Sequence, residues 1–179
     1  MNQFEKARQK FKPKKIKYLL IAETPPKSNS DRFFYFENVE NQDSLFLETI
    51  KLLYPRETTP LKPKEIRKRK KEFLEKFKND GFYLIDSLDQ PFENKYSTSK
   101  KIKLIKDGQK ALGEKIQNLL SEQTKVILIA VPVFKANFQF LKNQNVPIIN
   151  EEAIDFPGSG GQKKFREKMN RILTKSDYF

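Results

Sequence analysis

The sequence predicts a single three-layer α/β/α domain, residues 1–179, with a central, mostly parallel sheet of about four strands. Short apolar runs of strand length alternate with longer segments whose apolar side chains recur at helical spacing. Strands separated by helices favour right-handed crossovers and a parallel sheet covered on both faces. A chain of 179 residues has the length of one domain and can bury a substantial core.

Four apolar segments have the length and composition of buried strands. The first ends abruptly at Glu23, and Pro25 and Pro26 follow, so the chain is expected to turn there. The third is almost wholly apolar and is therefore expected near the centre of the sheet. In chain order, the predicted strands are residues 16–22, 82–85, 125–131 and 146–149.

The segments between and after these strands have apolar side chains at helical spacing. Asp43 or Ser44 can cap the first helix, and Pro55 follows its end. Residues 93–106 are polar and basic, and we expect a loop or the start of a helix there. The predicted helices are residues 44–53, the segment from the turn at 58–63 to about residue 79, and residues 108–121, 133–141 and 162–174.

The sequence contains no cysteine and no histidine. Without cysteine there are no disulfides, thiolate metal sites, iron–sulfur clusters or cysteine nucleophiles. Without histidine there is no imidazole metal ligand, no imidazole acid or base, and no Ser-His-Asp triad. We therefore expect a protein that uses neither a metal nor another cofactor.

Positive charge dominates the composition. The chain has 36 Lys and Arg residues against 23 Asp and Glu residues, which gives a net charge of +13. Such an excess attracts polyanions, so nucleic acid, above all DNA, is the leading partner class, and an anionic membrane surface is the weaker alternative. Residues 62–78 hold nine basic and three acidic residues, a run that is also typical of a solvated helix face.

No apolar stretch approaches the length of a membrane span, because the longest, residues 126–133, has the length of a strand. The polar N-terminal segment lacks the apolar region of a signal peptide. We expect a soluble, cytoplasmic protein without a membrane partner, and a monomer.

In a parallel sheet the carboxyl ends of the strands lie at one edge, where ligands of open α/β sheets bind. The predicted topology brings four segments to this edge: residues 23–26, residues 86–91, the surroundings of Pro132, and residues 155–162. Glu23 therefore occupies a position suited to a functional site. The alternative is a plain turn at Pro25 and Pro26 that leaves Glu23 in solvent.

The segment 155–162 is rich in glycine and precedes a predicted helix. Glycines let backbone N–H groups approach an anion, and the N-terminal end of a helix carries partial positive charge, so a phosphate fits there. The loop has neither the Walker A sequence nor the spacing of dinucleotide-binding loops. A plain turn is the alternative.

Four aromatic residues follow one another at positions 33–36. They cannot all face one core from a single strand or helix, so we expect at least one to meet solvent or a ligand. Aromatic faces stack on bases, with about 1 to 3 kcal/mol per base at single-strand sites. Packing beneath a loop is the alternative, because aromatic side chains dominate protein cores.

The order of these segments resembles the uracil-DNA glycosylase superfamily, and the resemblance covers most of the chain. Ala-Glu-Thr-Pro-Pro at residues 22–26 is similar to the motif that ends the family's first strand. Residues 33–36 match its base-stacking aromatic, residues 85–87 its base-reading strand end, residues 126–131 its later apolar strand, and residues 156–162 its closing loop. The resemblance implies a uracil-DNA glycosylase-like fold and, as the activity, hydrolysis of the N-glycosidic bond of a base flipped out of DNA during DNA repair.

The resemblance also implies a role for each matching residue. Glu23 would stabilise positive charge on the sugar and position water, Phe34 or Tyr35 would stack on the base, and Asp86 would read the base. Ser159, Gln162 or loop N–H groups would act where the family uses a histidine. The residues implied to bind DNA phosphates are Thr24, Gly158, Ser159, Gly160, Gly161, Gln162 and Lys163.

Asp86 stands where the family has an asparagine. An ionised carboxylate repels a carbonyl oxygen and prefers N–H donors, which favours a base edge other than that of uracil. Two further functions stay open. One is nucleic-acid binding without chemistry on the same fold, which the missing histidine favours. The other is a small-molecule nucleotide or phosphate-ester enzyme that holds its substrate's anion in the glycine-rich loop.

Overall fold

A small parallel sheet forms the centre of a mixed α/β fold. In the computed structural model, which describes residues 2–27, 29–158 and 160–178, the strands are β1 (Tyr18–Ala22), β2 (Phe82–Asp86) and β3 (Lys125–Leu128). Their order is β2-β1-β3, and both pairings are parallel. Every residue of β1 and β2 is buried, which explains why these strands are continuous apolar runs in the sequence.

Helices account for most of the remaining regular structure, and α2 packs on α9 while α6 packs on α8. None of the helices within the described ranges is both long and apolar enough to cross a membrane. In chain order the helices are α1 (Gln3–Lys10), α2 (Ser44–Leu53), α3 (Pro55–Thr58), α4 (Pro63–Lys68), α5 (Lys70–Asn79), α6 (Thr98–Asp107), α7 (Gln109–Gln117), α8 (Val131–Asn143) and α9 (Gln162–Lys175).

The predicted helix that ends near residue 79 is divided in two. The chain leaves helical geometry at Arg69, which caps α4 and precedes α5. Gly81 follows α5 with a left-handed φ of 86°, a conformation that glycine adopts at little cost. Its carbonyl accepts hydrogen bonds from the N–H groups of Lys17 and Tyr18, at 2.8 and 3.1 Å, so this turn fixes the end of α5 beside the start of β1.

The predicted fourth strand, residues 146–149, contacts the sheet through a single bridge between Ile148 and Val126. The carbonyl of Pro147 accepts from the N–H of Val126 at 2.9 Å, and the N–H of Ile149 donates to the carbonyl of Val126 at 3.0 Å. Proline has no N–H to extend such a ladder. Within the described ranges the structure therefore has three strands and two isolated bridges, this one and a second between Ile129 and Ile154, in place of the expected four strands.

The side chain of Asn150 continues the pairing that this segment leaves incomplete. Its Oδ1 accepts from the N–H of Leu128 at 2.9 Å, and its Nδ2 donates to the carbonyl of Leu128 at 3.1 Å. Asn150 is fully buried. A side-chain amide thus replaces the backbone of a neighbouring strand at the outer edge of β3.

Three helices were not predicted as such. The shortest is α3, which begins at Pro55, directly after the predicted end of α2. Residues 3–10 form α1, with only Phe4 and Arg8 buried, so the segment lacks a clear apolar stripe. Asn2 accepts from the N–H of Glu5 at 2.9 Å, and an Asn followed three residues later by Glu is the sequence signal that could have identified this helix. Residues 98–107, expected as a loop or a helix start, form α6 behind the N-cap Ser97.

We expect Asn150→Ala to lower the free energy of unfolding by about 1–3 kcal/mol, because it leaves the buried N–H and carbonyl of Leu128 without partners. Urea unfolding at pH 7 measures the change. Asn170→Ala, at an exposed position of α9, is the matched control and should change stability by less than about 0.5 kcal/mol. Equal stability of the two variants would contradict the role given to Asn150.

Candidate functional site

The carboxyl ends of the strands meet at one edge of the sheet, as the sequence predicts. Ala22 of β1 is in register with Asp86 of β2. The N–H groups of Ser87 and Leu88 donate to the carbonyls of Ala22 and Glu23, at 2.8 and 3.2 Å. These bonds fix Glu23 directly beside the end of β2.

A cavity of about 260 Å³ lies at this edge. Its walls come from segments that are distant in the sequence, and they combine carboxylate side chains with aromatic rings. Thr24, Pro25 and Pro26 form part of the lining next to Glu23. The further lining residues that matter for its chemistry are Phe34, Asp43, Asp86 and Phe156.

Glu23 is half-buried in this cavity and is paired with a lysine of α6. Lys101 Nζ lies 2.9 Å from Glu23 Oε2, and the two side chains are 28% and 18% exposed, respectively. Within the described chain, Glu23 Oε1 has no hydrogen-bond partner. One carboxylate oxygen is therefore held in place while the other stays available to a ligand. Nothing in the sequence distinguished Lys101 from the other lysines of this segment.

Asp86 is buried and forms an ion pair with Arg8 of α1. Arg8 Nη2 lies 2.6 Å from Asp86 Oδ2, and Arg8 Nη1 lies 2.5 Å from Glu5 Oε2. Burial raises the pKa of Asp86 to about 6, against the opposing effect of the Arg8 guanidinium. Burial also lowers the pKa of Arg8, but the Asp86 and Glu5 carboxylates outweigh it and the net shift is upward. Asp86 thus lines the cavity, and its charge is balanced by Arg8, a cation that sequence reasoning missed.

A third carboxylate of the cavity, Asp43, is fully engaged by two cations. Arg67 Nε lies 2.8 Å from Asp43 Oδ1, and Lys70 Nζ lies 3.2 Å from Asp43 Oδ2. Lys70 is completely buried, and burial lowers its pKa to about 8 although Asp43 opposes the shift. Since both oxygens of Asp43 are occupied, its role here is to hold α4 and α5 against the cavity wall. Among the described residues, no group of three acidic side chains could hold a metal ion.

The two predicted base-stacking residues occupy different places. Phe34 lines the cavity and packs edge-on against Phe46, with ring centroids 5.7 Å apart. Tyr35 lies behind it with 1% of its surface exposed. The Tyr35 hydroxyl accepts from the N–H of Leu84 at 2.7 Å and donates to the carbonyl of Leu84 at 3.1 Å. Phe34 is itself 6% exposed and belongs to the core, so it borders the cavity from within the packed interior, while Tyr35 ties the aromatic segment to β2.

Phe156, in the predicted closing loop, is a cavity residue that sequence reasoning did not single out. Phe156 is 46% exposed and lines the cavity. The loop geometry depends on Gly161, where an added Cβ would lie 2.3 Å from the carbonyl oxygen of Phe156. The sequence did contain a signal for the position of Phe156, because its loop was predicted to lie at this edge of the sheet.

The residues predicted to bind phosphate are only partly brought to the cavity. Thr24 lines it, and Ser159 lies outside the described residues. The N–H of Gly161 donates to the carbonyl of Gly158 at 3.0 Å, so this N–H is already used within the loop. Gly160 has a left-handed φ of 80°, and Gln162 begins α9. The side chain of Lys163 is 84% exposed and is not among the residues that line the cavity.

No protein-family model matches the chain, and no curated protein or solved structure matches it. The resemblance to uracil-DNA glycosylases therefore stays a prediction from the sequence. The function has to be inferred from the cavity and from the charges around it.

We expect the Asp86 carboxyl to make stability depend on pH between about 4 and 6. In this range the folded protein keeps a proton on Asp86, whose pKa is raised to about 6, while the unfolded chain has released it. The unfolded state then binds fewer protons, so the free energy of unfolding falls as the pH rises through this window.

Urea unfolding of the wild type and of Asp86→Asn at several pH values tests this expectation. The stability of the wild type relative to Asp86→Asn should decrease from pH 4 to pH 6 and then level off. Asp107→Asn, at an exposed position, is the control and should follow the wild type. A relative stability that rises over this range would show that Arg8 lowers the pKa of Asp86 instead.

Proposed function

We propose that the protein is a nucleic-acid-binding hydrolase of the glycosylase type, which takes a flipped base into the cavity and hydrolyses its N-glycosidic bond. The observation that carries the proposal is the cavity itself. At about 260 Å³ it joins the Glu23 carboxylate to the buried Asp86 and to the aromatic rings of Phe34 and Phe156. A carboxylate next to a partly aromatic pocket suits the cleavage of a bond between a sugar and a planar base.

The reaction adds water to the anomeric carbon of the sugar, and the base leaves with the electron pair of the bond and takes up a proton. Positive charge develops on the sugar as the bond breaks, and the half-buried Glu23 carboxylate would stabilise that charge and orient the water. Lys101 would act as a positioning residue, because its contact with Oε2 fixes the carboxylate and leaves Oε1 for the substrate.

Base recognition would fall to Asp86 and Phe34. Arg8 occupies Oδ2 of Asp86. The Asp86 side chain also lines the cavity, where its carboxylate would accept hydrogen bonds from N–H groups of a base. Phe34 offers an aromatic surface to a base. This combination favours a base that presents N–H groups over one that presents only carbonyl oxygens.

The fold supports the proposal at a general level. A parallel sheet with an open carboxyl edge is where α/β proteins bind ligands. We also propose a uracil-DNA glycosylase-like architecture, in which the bridged segment at residues 146–149 takes the place of the fourth strand.

The test is release of a base from duplex oligonucleotides that carry uracil, hypoxanthine, xanthine or a mismatch, detected as alkali-labile abasic sites. We expect at least one substrate to be cleaved. Glu23→Gln should slow that cleavage by about 100-fold or more, because a neutral amide stabilises developing positive charge poorly, and should change the dissociation constant of the oligonucleotide by less than about threefold.

Glu122→Gln makes the same chemical change at an exposed position and is the control, with cleavage expected at the rate of the wild type. Equal cleavage by Glu23→Gln and the wild type would remove Glu23 from the mechanism.

Nucleic-acid binding without chemistry is the second candidate, and the ion pair between Glu23 and Lys101 is the observation that favours it. A carboxylate that is neutralised by a lysine, in a chain without histidine, can serve to shape a binding surface alone. In that case the oligonucleotides bind with strong salt dependence, and no abasic product forms on any of them.

A further inference from the structure

The basic residues of the chain differ in whether a nearby carboxylate compensates their positive charge. The basic run at residues 62–78 is mostly compensated by carboxylates. Asp43 pairs with Arg67 and Lys70, and three further ion pairs join Arg69 to Glu72, Lys76 to Glu57 and Lys78 to Glu75. The α4 residues Lys64 and Lys68 line a cleft together with Asp31, Glu37 and Glu40. This run therefore presents less net charge than its sequence indicates.

Helix α6 is different. Lys100, Lys103 and Lys106, which we call the α6 lysine stripe, are exposed. Within the described part of the chain none of the three forms an ion pair with a carboxylate. At 3.6 residues per turn these positions fall within about 120° of the helix circumference, opposite the buried Ile105. The stripe is a line of uncompensated positive charge that faces solvent.

The position of α6 links this stripe to the cavity. Lys101, next to Lys100 in the first turn, reaches Glu23 at the cavity. At the other end of the helix, an added Cβ on Gly108 would lie 2.6 Å from Leu88 Cδ2, and Leu88 is hydrogen-bonded to the carbonyl of Glu23. Both ends of α6 are therefore anchored to the loops at the carboxyl edge of the sheet, and the stripe runs along the face of the helix that points away from Lys101 and Glu23.

We infer that the α6 lysine stripe binds the phosphate backbone of a nucleic acid, on the outer side of the helix whose inner side contacts the cavity residue Glu23. The inference rests on the proposed function and adds the surface that holds the substrate. When lysines that lack carboxylate partners contact phosphates, the cations condensed on the nucleic acid are released, and this release supplies most of the affinity of non-specific binding. Lysines that already have carboxylate partners gain less from such contacts.

The experiment compares two triple variants that remove the same charge. Lys100→Gln/Lys103→Gln/Lys106→Gln removes the stripe. Arg69→Gln/Lys76→Gln/Lys78→Gln removes three cations of the basic run at residues 62–78, each of which has a carboxylate partner, and is the matched control. Binding of a fluorescent 30-base-pair DNA duplex is measured by anisotropy between about 50 and 200 mM salt, and thermal unfolding verifies that both variants are folded.

We expect the stripe variant to bind the duplex about tenfold or more weakly at 150 mM salt, and the slope of log K against log salt to fall in magnitude by about two to three, as three lost phosphate contacts require. The control variant should lose less than about threefold. Equal losses in both variants would overturn the inference, because the loss would then follow net charge alone, and the proposed function would stand.

Two further outcomes separate the inference from the proposed function. Duplex binding that depends on the stripe without base release from any oligonucleotide would support phosphate binding by the stripe and remove the hydrolase activity. Absence of duplex binding by the wild type, with stripe-dependent binding to vesicles of anionic phospholipid, would overturn both in favour of a membrane surface.

Discussion

The buried ion pair between Asp86 and Arg8 is the interaction on which the site depends. Asp86 ends β2 in the fully buried part of the sheet, and Arg8 reaches it from a helix 78 residues earlier in the chain. An isolated buried charge is too costly to maintain, whereas a pair with good geometry offsets much of the desolvation. The pair therefore fixes α1 against the end of β2, and it places a carboxylate in the cavity wall without an unbalanced charge.

The same physical solution recurs around the cavity. Asp43 is held by Lys70 and a second cation, and Glu23 is held by Lys101. Each pair joins a carboxylate at the sheet edge or its loops to a helix remote in sequence, so the ion pairs both close the cavity and set the orientation of its acceptors. The pairs differ in how many carboxylate oxygens they leave without a partner. Both oxygens of Asp43 are occupied, whereas Glu23 keeps one oxygen for a ligand, which is why Glu23 carries the chemistry in the proposed mechanism.

Sequence reasoning predicted the three strands of the sheet and the edge where Glu23 and Asp86 meet, because buried parallel strands are continuous apolar runs that end at polar or turn residues. The fourth predicted strand, residues 146–149, is only bridged to the sheet. It could not predict the cations that complete the site. Arg8 belongs to a helix with little apolar periodicity, and Lys101 is one of many lysines. The choice between partners is made by tertiary packing, which no local pattern records. The same limit applies to Phe34 and Tyr35. Both are buried, and tertiary packing alone decides that Phe34 lines the cavity.

The most direct test of the account is a crystal structure of Glu23→Gln bound to a duplex oligonucleotide that the wild type cleaves or binds most tightly. We predict one base turned out of the duplex into the cavity, in contact with Phe34 and Asp86, with other phosphates of the duplex on the α6 lysine stripe. A complex in which every base stays stacked and the cavity holds no part of the nucleic acid would contradict it.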